Sequence, residues 1–120
     1  MAFSATTLRD LRAQGRPVFV DVTADWCITC LANERTVLNT AAIQQAFEDA
    51  GVTYMIADWT DYDPGIADFV ASHGRSGIPL YVLYDGRETP RLLPQLLRKQ
   101  TVLEALETLD RGGLAATSPR

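Results

Sequence analysis

A chain of 120 residues is long enough for one compact domain and too short for two ordinary ones. Its 47% hydrophobic content is that of a folded globular domain, and a net charge of -4 denies it the basic face that nucleic acids or anionic membranes need. No apolar stretch is long enough to cross a bilayer, and Met1-Ala2-Phe3-Ser4 lacks the basic and apolar regions of a signal peptide. The chain as it stands is expected to be soluble and monomeric, though a domain cut from a larger protein would look the same.

Thr7 followed by Asp10 has the form of a capping box, and Leu8, Leu11 and a terminal Gly15 fit a short first helix. Pro17 then opens Val18-Phe19-Val20-Asp21-Val22, an apolar, β-branched run that predicts a strand covered on both faces. Trp26-Cys27-Ile28-Thr29-Cys30 follows at once and leads into a helix through Leu31, Val37 and Leu38. A further helix is expected from Ala41 to Ala50, stopping at Gly51, and a strand from Val52 to Ala57. Asp63 caps the next helix with Pro64 at its first position, and Gly74 closes it. Pro79 to Tyr84 reads as a strand, Asp85-Gly86 as a hairpin turn, and the partner strand falls within Glu88 to Leu93. Thr101 with Glu104 is expected to cap a last amphipathic helix carrying Val102, Leu103, Leu106 and Leu109 and ended by Gly112-Gly113. The domain would then occupy residues 1–113, with 114–120 a disordered tail. This order predicts an α/β fold, a central mixed sheet flanked by helices on both faces, which resembles the thioredoxin arrangement.

The two cysteines carry the chemistry. Only two residues separate them, so a disulfide between them removes little chain entropy and makes a poor staple. A tetrahedral zinc site normally takes four ligands, and here only His73 and a carboxylate could be added to the pair. Redox chemistry is the reading that remains favoured. Thiol–disulfide exchange needs one thiolate to attack and a second thiol to release the mixed disulfide. At the start of a helix, unpaired N–H groups and the dipole stabilise the first thiolate, and the second thiol lies one turn along. Cys27 is therefore assigned as the nucleophile and Cys30 as the resolving thiol, with Trp26 immediately before them.

Two carboxylates stand near the pair. Asp21 sits in the middle of the apolar strand, where a charge is expensive to bury, unless it is a strand-end residue reaching water. Glu34 lies seven residues after Cys27 and four after Cys30, on their helix face, flanked there by Leu31 and Leu38. A carboxylate on an apolar stripe and a solvated helix face are both open for it. Pro79, after Ile78, removes a ladder donor and marks a special backbone, although a trans, strand-opening proline would fit the sequence too. His73 beside Gly74 reads as a helix-end residue, and Arg87 and Arg91 as solvated charges. Trp59 and Tyr62 could line a partner surface or simply pack a capped loop.

Trp26-Cys27-x-x-Cys30, Asp21 and Ile78-Pro79 resemble thioredoxins across nearly the whole chain. Asp21 through Cys30, Glu34, Ala57-Asp58-Trp59-Thr60 and Gly77 through Tyr84 are similar to the C-terminal periplasmic domain of the DsbD (ScsB-like) thiol:disulfide interchange family. Ile28-Thr29 departs from the Gly-Pro of thioredoxin, and Leu31 from the basic residue common after the second cysteine. The resemblance implies a periplasmic protein-disulfide reductase relay needing no cofactor and no metal. Its disulfide-bearing partners would be a membrane-embedded domain and a periplasmic domain of one parent protein. It also implies that Asp21 and Glu34 tune the nucleophile, and that Pro79 is cis and packs beside the cysteines with Ile78. A free-standing thioredoxin-like reductase or isomerase is the competing expectation, and a redox-inactive binding or metal-binding module a further one.

Overall fold

The computed structural model describes residues 1–85 and 90–117, with side chains through residue 109. Strand β1 (Val18–Thr23) is the centre of the sheet. It pairs in parallel with β2 (Thr53–Asp58) and antiparallel with β3 (Leu80–Tyr84), and β3 pairs antiparallel with β4 (Arg91–Leu93). The sheet order is β2-β1-β3-β4.

The two-residue period of a strand divides β1 between two cores. Val18, Val20 and Val22 pack with Met55, Ala57, Leu80 and Val82 beneath α1 (Ala5–Ala13) and α4 (Pro64–Ser72), which contribute Leu8, Ile66 and Val70. Phe19 faces the other way, with Tyr81 and Leu83, against Ile43 and Phe47 of α3 (Ala41–Asp49) and Val102 and Leu106 of α5 (Lys99–Thr117). Fully burying a side chain of this size stabilises the fold by about 1.5–3 kcal/mol. Buried Asn33 closes the second layer, donating to Tyr81 Oη at 2.8 Å and the Gln95 carbonyl at 2.7 Å while accepting from Leu97 N–H at 3.2 Å.

Several expected boundaries move for local reasons. Ser4, not Thr7, caps α1, because its extended backbone aims the hydroxyl at Thr7 N–H, 3.2 Å away. Helix α5 already starts at Lys99, which puts Thr101 and Glu104 inside it rather than at its cap. It also runs through Gly112-Gly113 to Thr117 instead of ending at the glycines. Glycine lowers helix propensity by about 1 kcal/mol but stops a helix only where the backbone turns left-handed. That happens at Gly15, Gly51 and Gly74, with φ of 72°, 69° and 72°. Asp63 caps α4 as expected, accepting from Gly65 and Ile66 N–H at 2.7 and 3.1 Å. Strand β4 is the last part of the range expected for it; Gly86 of the expected turn, Arg87 and Glu88 lie outside the described residues.

Among the described residues, no helix is long and apolar enough to cross a membrane, and no group of three or more His, Cys, Asp or Glu side chains is gathered as a metal site would need.

Candidate active site

The chain leaves the end of β1 through Ala24–Trp26 and turns into α2 (Ile28–Asn33) with Cys27 at the N-cap position. Cys27 and Cys30 are joined by a disulfide, and Cys30 N–H donates to Cys27 Sγ at 3.2 Å. A backbone amide aimed at that sulfur is what a helix N-terminus offers an anion. The two cysteines are not equivalent. Cys30 is 0% exposed, with its sulfur 4.0 Å from the Val22 carbonyl oxygen, whereas Cys27 keeps 7% of its surface. Both pack against Ile78, and the Ile78–Pro79 peptide bond beside them is cis.

Alternation along β1 puts Asp21 and Thr23 on the Phe19 side of the sheet, under the start of the second layer. Asp21 is 2% exposed. Its Oδ2 accepts from Tyr54 Oη at 2.6 Å, and its Oδ1 is buried with no hydrogen-bond partner among the described residues. Burial pushes the Asp21 carboxyl up from its ordinary value to about 6; the Tyr54 hydrogen bond opposes that rise, and the charge of Glu34 adds to it. Burial and the Asp21 carboxylate hold the Tyr54 hydroxyl far above its own ordinary range, so it remains a donor.

Glu34 is half-buried, and its Oε2 accepts from Thr23 Oγ1 at 2.6 Å. Asp21 and Glu34 therefore do lie on one side of the sheet, joined to it by Tyr54 and Thr23. The apolar stripe expected around Glu34 is not continuous. From Glu34 to Leu38 the helix widens into a π turn, which rotates the residues after it relative to those before. Leu38 is fully buried while Leu31 is 38% exposed.

Trp26 stands at the rim. Its ring stacks on Tyr62 at 5.3 Å between centroids with a 13° interplanar angle, and its Nε1 donates to the Thr60 carbonyl at 3.2 Å. Thr60 also accepts from Asp25 N–H through its hydroxyl at 3.0 Å, so the 58–63 loop braces the approach to Cys27. Trp59 is half-buried with Nε1 on the Asp63 carbonyl, whereas Tyr62 is exposed and has a left-handed φ of 58°. Ile28, 83% exposed, and Leu31 carry the apolar surface past the sulfurs. His73 lies elsewhere, at the end of α4, with its ring 3.0 Å from Tyr84 Oη; burial and Arg12 lower its pKa.

Spacing along the chain pointed to neither Tyr54 nor Thr23. Both reach the site through the sheet, Tyr54 from β2 where Phe19 is its register partner. The available signal was general: a carboxylate buried in a strand needs a donor, and Tyr54 on the next strand is a hydroxyl that can supply it.

The family model described as thioredoxin-like matches residues 1–86. The chain is 30% identical over 101 residues to the thiol:disulfide interchange protein DsbD of Ralstonia nicotianae, covering 82% of this chain and 16% of that protein. With DsbD of Cronobacter sakazakii it shares 28% over 81 residues, 66% of this chain and 14% of the relative. The chain thus spans a small part of the curated relatives it matches. Among solved structures it superposes on the oxidised DsbD C-terminal domain of Neisseria meningitidis with a TM-score of 0.71 at 22% identity, covering 90% and 97% of the two chains. A thioredoxin from Thermus thermophilus gives 0.70 at 18% identity, covering 96% and 91%. With its family model spanning β1 to β3 and Cys27 of its C-x-x-C pair capping α2, the chain belongs to the thioredoxin-like family.

Proposed function

We propose that this chain is a thiol–disulfide reductase domain that relays electrons between disulfide-bearing proteins through Cys27 and Cys30. The carrying observation is the asymmetry of the pair: Cys27, which keeps 7% of its surface and receives the Cys30 N–H on its sulfur, stands before a Cys30 that keeps none. In the reduced protein the Cys27 thiolate attacks a partner disulfide, forming a mixed disulfide and expelling one partner sulfur. Cys30 then gives up its proton and attacks Cys27 Sγ. The Cys27–Cys30 bond forms, the remaining partner sulfur leaves as a thiolate, and two electrons have passed to the partner. Asp21, with Oδ1 unpartnered among the described residues and its carboxyl pushed up to about 6, suits the base that takes the Cys30 proton. Asp21 and Glu34 together place negative charge behind the nucleophile and restrain its ionisation until a partner docks.

The likeness to DsbD supports a more specific setting. There the domain would work in the periplasm as part of a larger membrane protein, receiving electrons from a membrane-embedded domain and handing them to a periplasmic one. The exposed Trp26, Ile28 and Leu31 beside the sulfurs suit docking of another protein chain.

Cys30→Ser tests the assignment of roles. Incubated with an oxidised protein substrate, it should accumulate a mixed disulfide through Cys27, visible on non-reducing gels, because attack proceeds and release does not. Cys27→Ser should trap nothing. Trapping by Cys27→Ser alone would reverse the roles. A midpoint potential near the roughly −270 mV of thioredoxin fits a reductase, and one near −120 mV a disulfide donor.

A further inference from the structure

The Asp21 carboxylate has two oxygens in unlike surroundings, one bound to Tyr54 Oη at 2.6 Å and one buried without a partner among the described residues. We propose that Tyr54 is a positioning residue for thiol chemistry, holding Oδ2 so that Oδ1 alone is left to take the proton of Cys30. This rests on the reading of Asp21 as the base of the resolving step. A carboxylate in the middle of a strand with no anchored oxygen could rotate and present either one. Anchoring Oδ2 from the neighbouring strand removes that freedom.

The geometry gives Tyr54 a fixed station. Its ring packs in the aromatic group on that side of the sheet, 5.5 Å from Phe19 and 5.2 Å from Phe47 between centroids. Tyr54 lies on β2, parallel to β1, so its hydroxyl reaches along the strand direction from the Phe19 level to Asp21. The other groups electrostatically coupled to Asp21 or Tyr54 differ in kind. Glu34 is engaged by Thr23, and Tyr81, the register partner of Asp21 on β3, accepts from Asn33. Cys30 Sγ lies 4.0 Å from the carbonyl oxygen of Val22, the residue that follows Asp21 on β1. Tyr54 is therefore the group that donates to Asp21 among the described residues. In the resolving step the proton leaves Cys30 Sγ for Oδ1, the new S–S bond forms to Cys27, and the partner sulfur carries away the electron pair of the broken bond. Tyr54 exchanges no proton. It stabilises the ionised carboxylate that must be present for the step to start.

Tyr54→Phe removes the hydroxyl and keeps the ring that packs. Measured as the rate of disulfide reduction against pH, its acid limb should move upward by about one pH unit, since a hydrogen bond to a charged group is worth that order. Well above both values the wild-type and Tyr54→Phe rates should converge within about threefold, a split that a merely structural role would not produce. Asp21→Asn and the Asp21→Asn/Tyr54→Phe double variant separate the routes. The proposal expects the double variant to have the pH profile of Asp21→Asn. A Tyr54→Phe profile identical to wild type, with Asp21→Asn altered, overturns the role of Tyr54 and leaves Asp21 as the base. A shift from Tyr54→Phe that persists in the Asp21→Asn background overturns it as well, because the tyrosine would then act elsewhere. An Asp21→Asn protein with the wild-type profile removes the base itself, and the proposal with it.

Discussion

The two faces of β1 are built from the same strand to opposite ends. On one, Val18, Val20 and Val22 are sealed among apolar neighbours from α1, α4 and the adjoining strands. On the other, Phe19 begins in an aromatic core and the strand then turns polar, through Asp21 to Thr23, as it approaches the cysteines. The first face resembles the interior of any stable domain. The second keeps a carboxylate at 2% exposure with one oxygen unpaired among the described residues, a cost that stability alone would not select. The contrast teaches where to look for chemistry, in the place where a core accepts a charge it could have avoided.

The comparison breaks most sharply if a charge is moved to the apolar face. Val20→Asp should cost more than about 4 kcal/mol, combining lost apolar burial with a buried carboxylate lacking a donor. For a domain of ordinary stability, about 5–15 kcal/mol, that is enough to unfold it or nearly so. Circular dichroism during urea titration would measure the loss. A Val20→Asp protein melting within a few degrees of wild type would mean that the two faces tolerate charge alike.

Asp21 itself gives the converse. Its folded-state pKa of about 6 lies above its ordinary value, so folding takes up a proton between the two. Its effect on stability is therefore most favourable in acid and is lost as pH rises through about 6. Between pH 4 and 8 the wild type should lose roughly 2.5 kcal/mol relative to Asp21→Asn, somewhat less than the whole shift at about 1.4 kcal/mol per unit because the unfolded carboxyl is already partly ionised at pH 4. Unfolding free energies of the two proteins across that range supply the difference curve. Parallel curves would mean that Asp21 ionises in the folded protein as it does unfolded, contrary to its burial.

Much of this contrast could be read before the fold was known, because it is local. Asp21 interrupting a β-branched run, the C-x-x-C pair directly after it, the Asp63-Pro64 helix start and the proline opening β3 all keep their meaning in the structure. What was not legible depends on register or on competition between equal candidates. Tyr54 reaches Asp21 only because β2 lies parallel to β1 with Tyr54 opposite Phe19. Ser4 and Thr7 are both competent caps, and the backbone conformation chose Ser4. The π turn from Glu34 to Leu38 adds a residue to one turn, which a constant helical period cannot anticipate, and it carries Leu38 into the core while Leu31, before it, stays on the surface. The ledge of Trp26 on Tyr62 needs a left-handed tyrosine, a conformation that no sequence pattern favours.

The smallest effect expected belongs to Glu34, and it sharpens the comparison by separating charge from structure on the chemical face. Glu34 stands one turn beyond Cys30 and accepts from Thr23 at 2.6 Å, so its carboxylate could serve as an electrostatic neighbour of Cys27 or merely as a brace for the end of β1. Glu34→Gln keeps an acceptor for Thr23 and removes the charge. If the charge matters, the Cys27 thiol in the reduced protein should ionise at lower pH, by about half a unit for a partly screened charge of this kind. Its reaction with a small disulfide near neutral pH should quicken by about two- to threefold in step. Raising the salt concentration should narrow the gap between the two proteins, since the interaction crosses a partly solvated rim. Thiolate absorbance against pH at two ionic strengths measures all of this on one sample. A titration curve that stays with wild type at both would assign Glu34 to the brace alone. The restraint on Cys27 would then fall to Asp21, whose replacement by Asn should move the same curve further in the same direction.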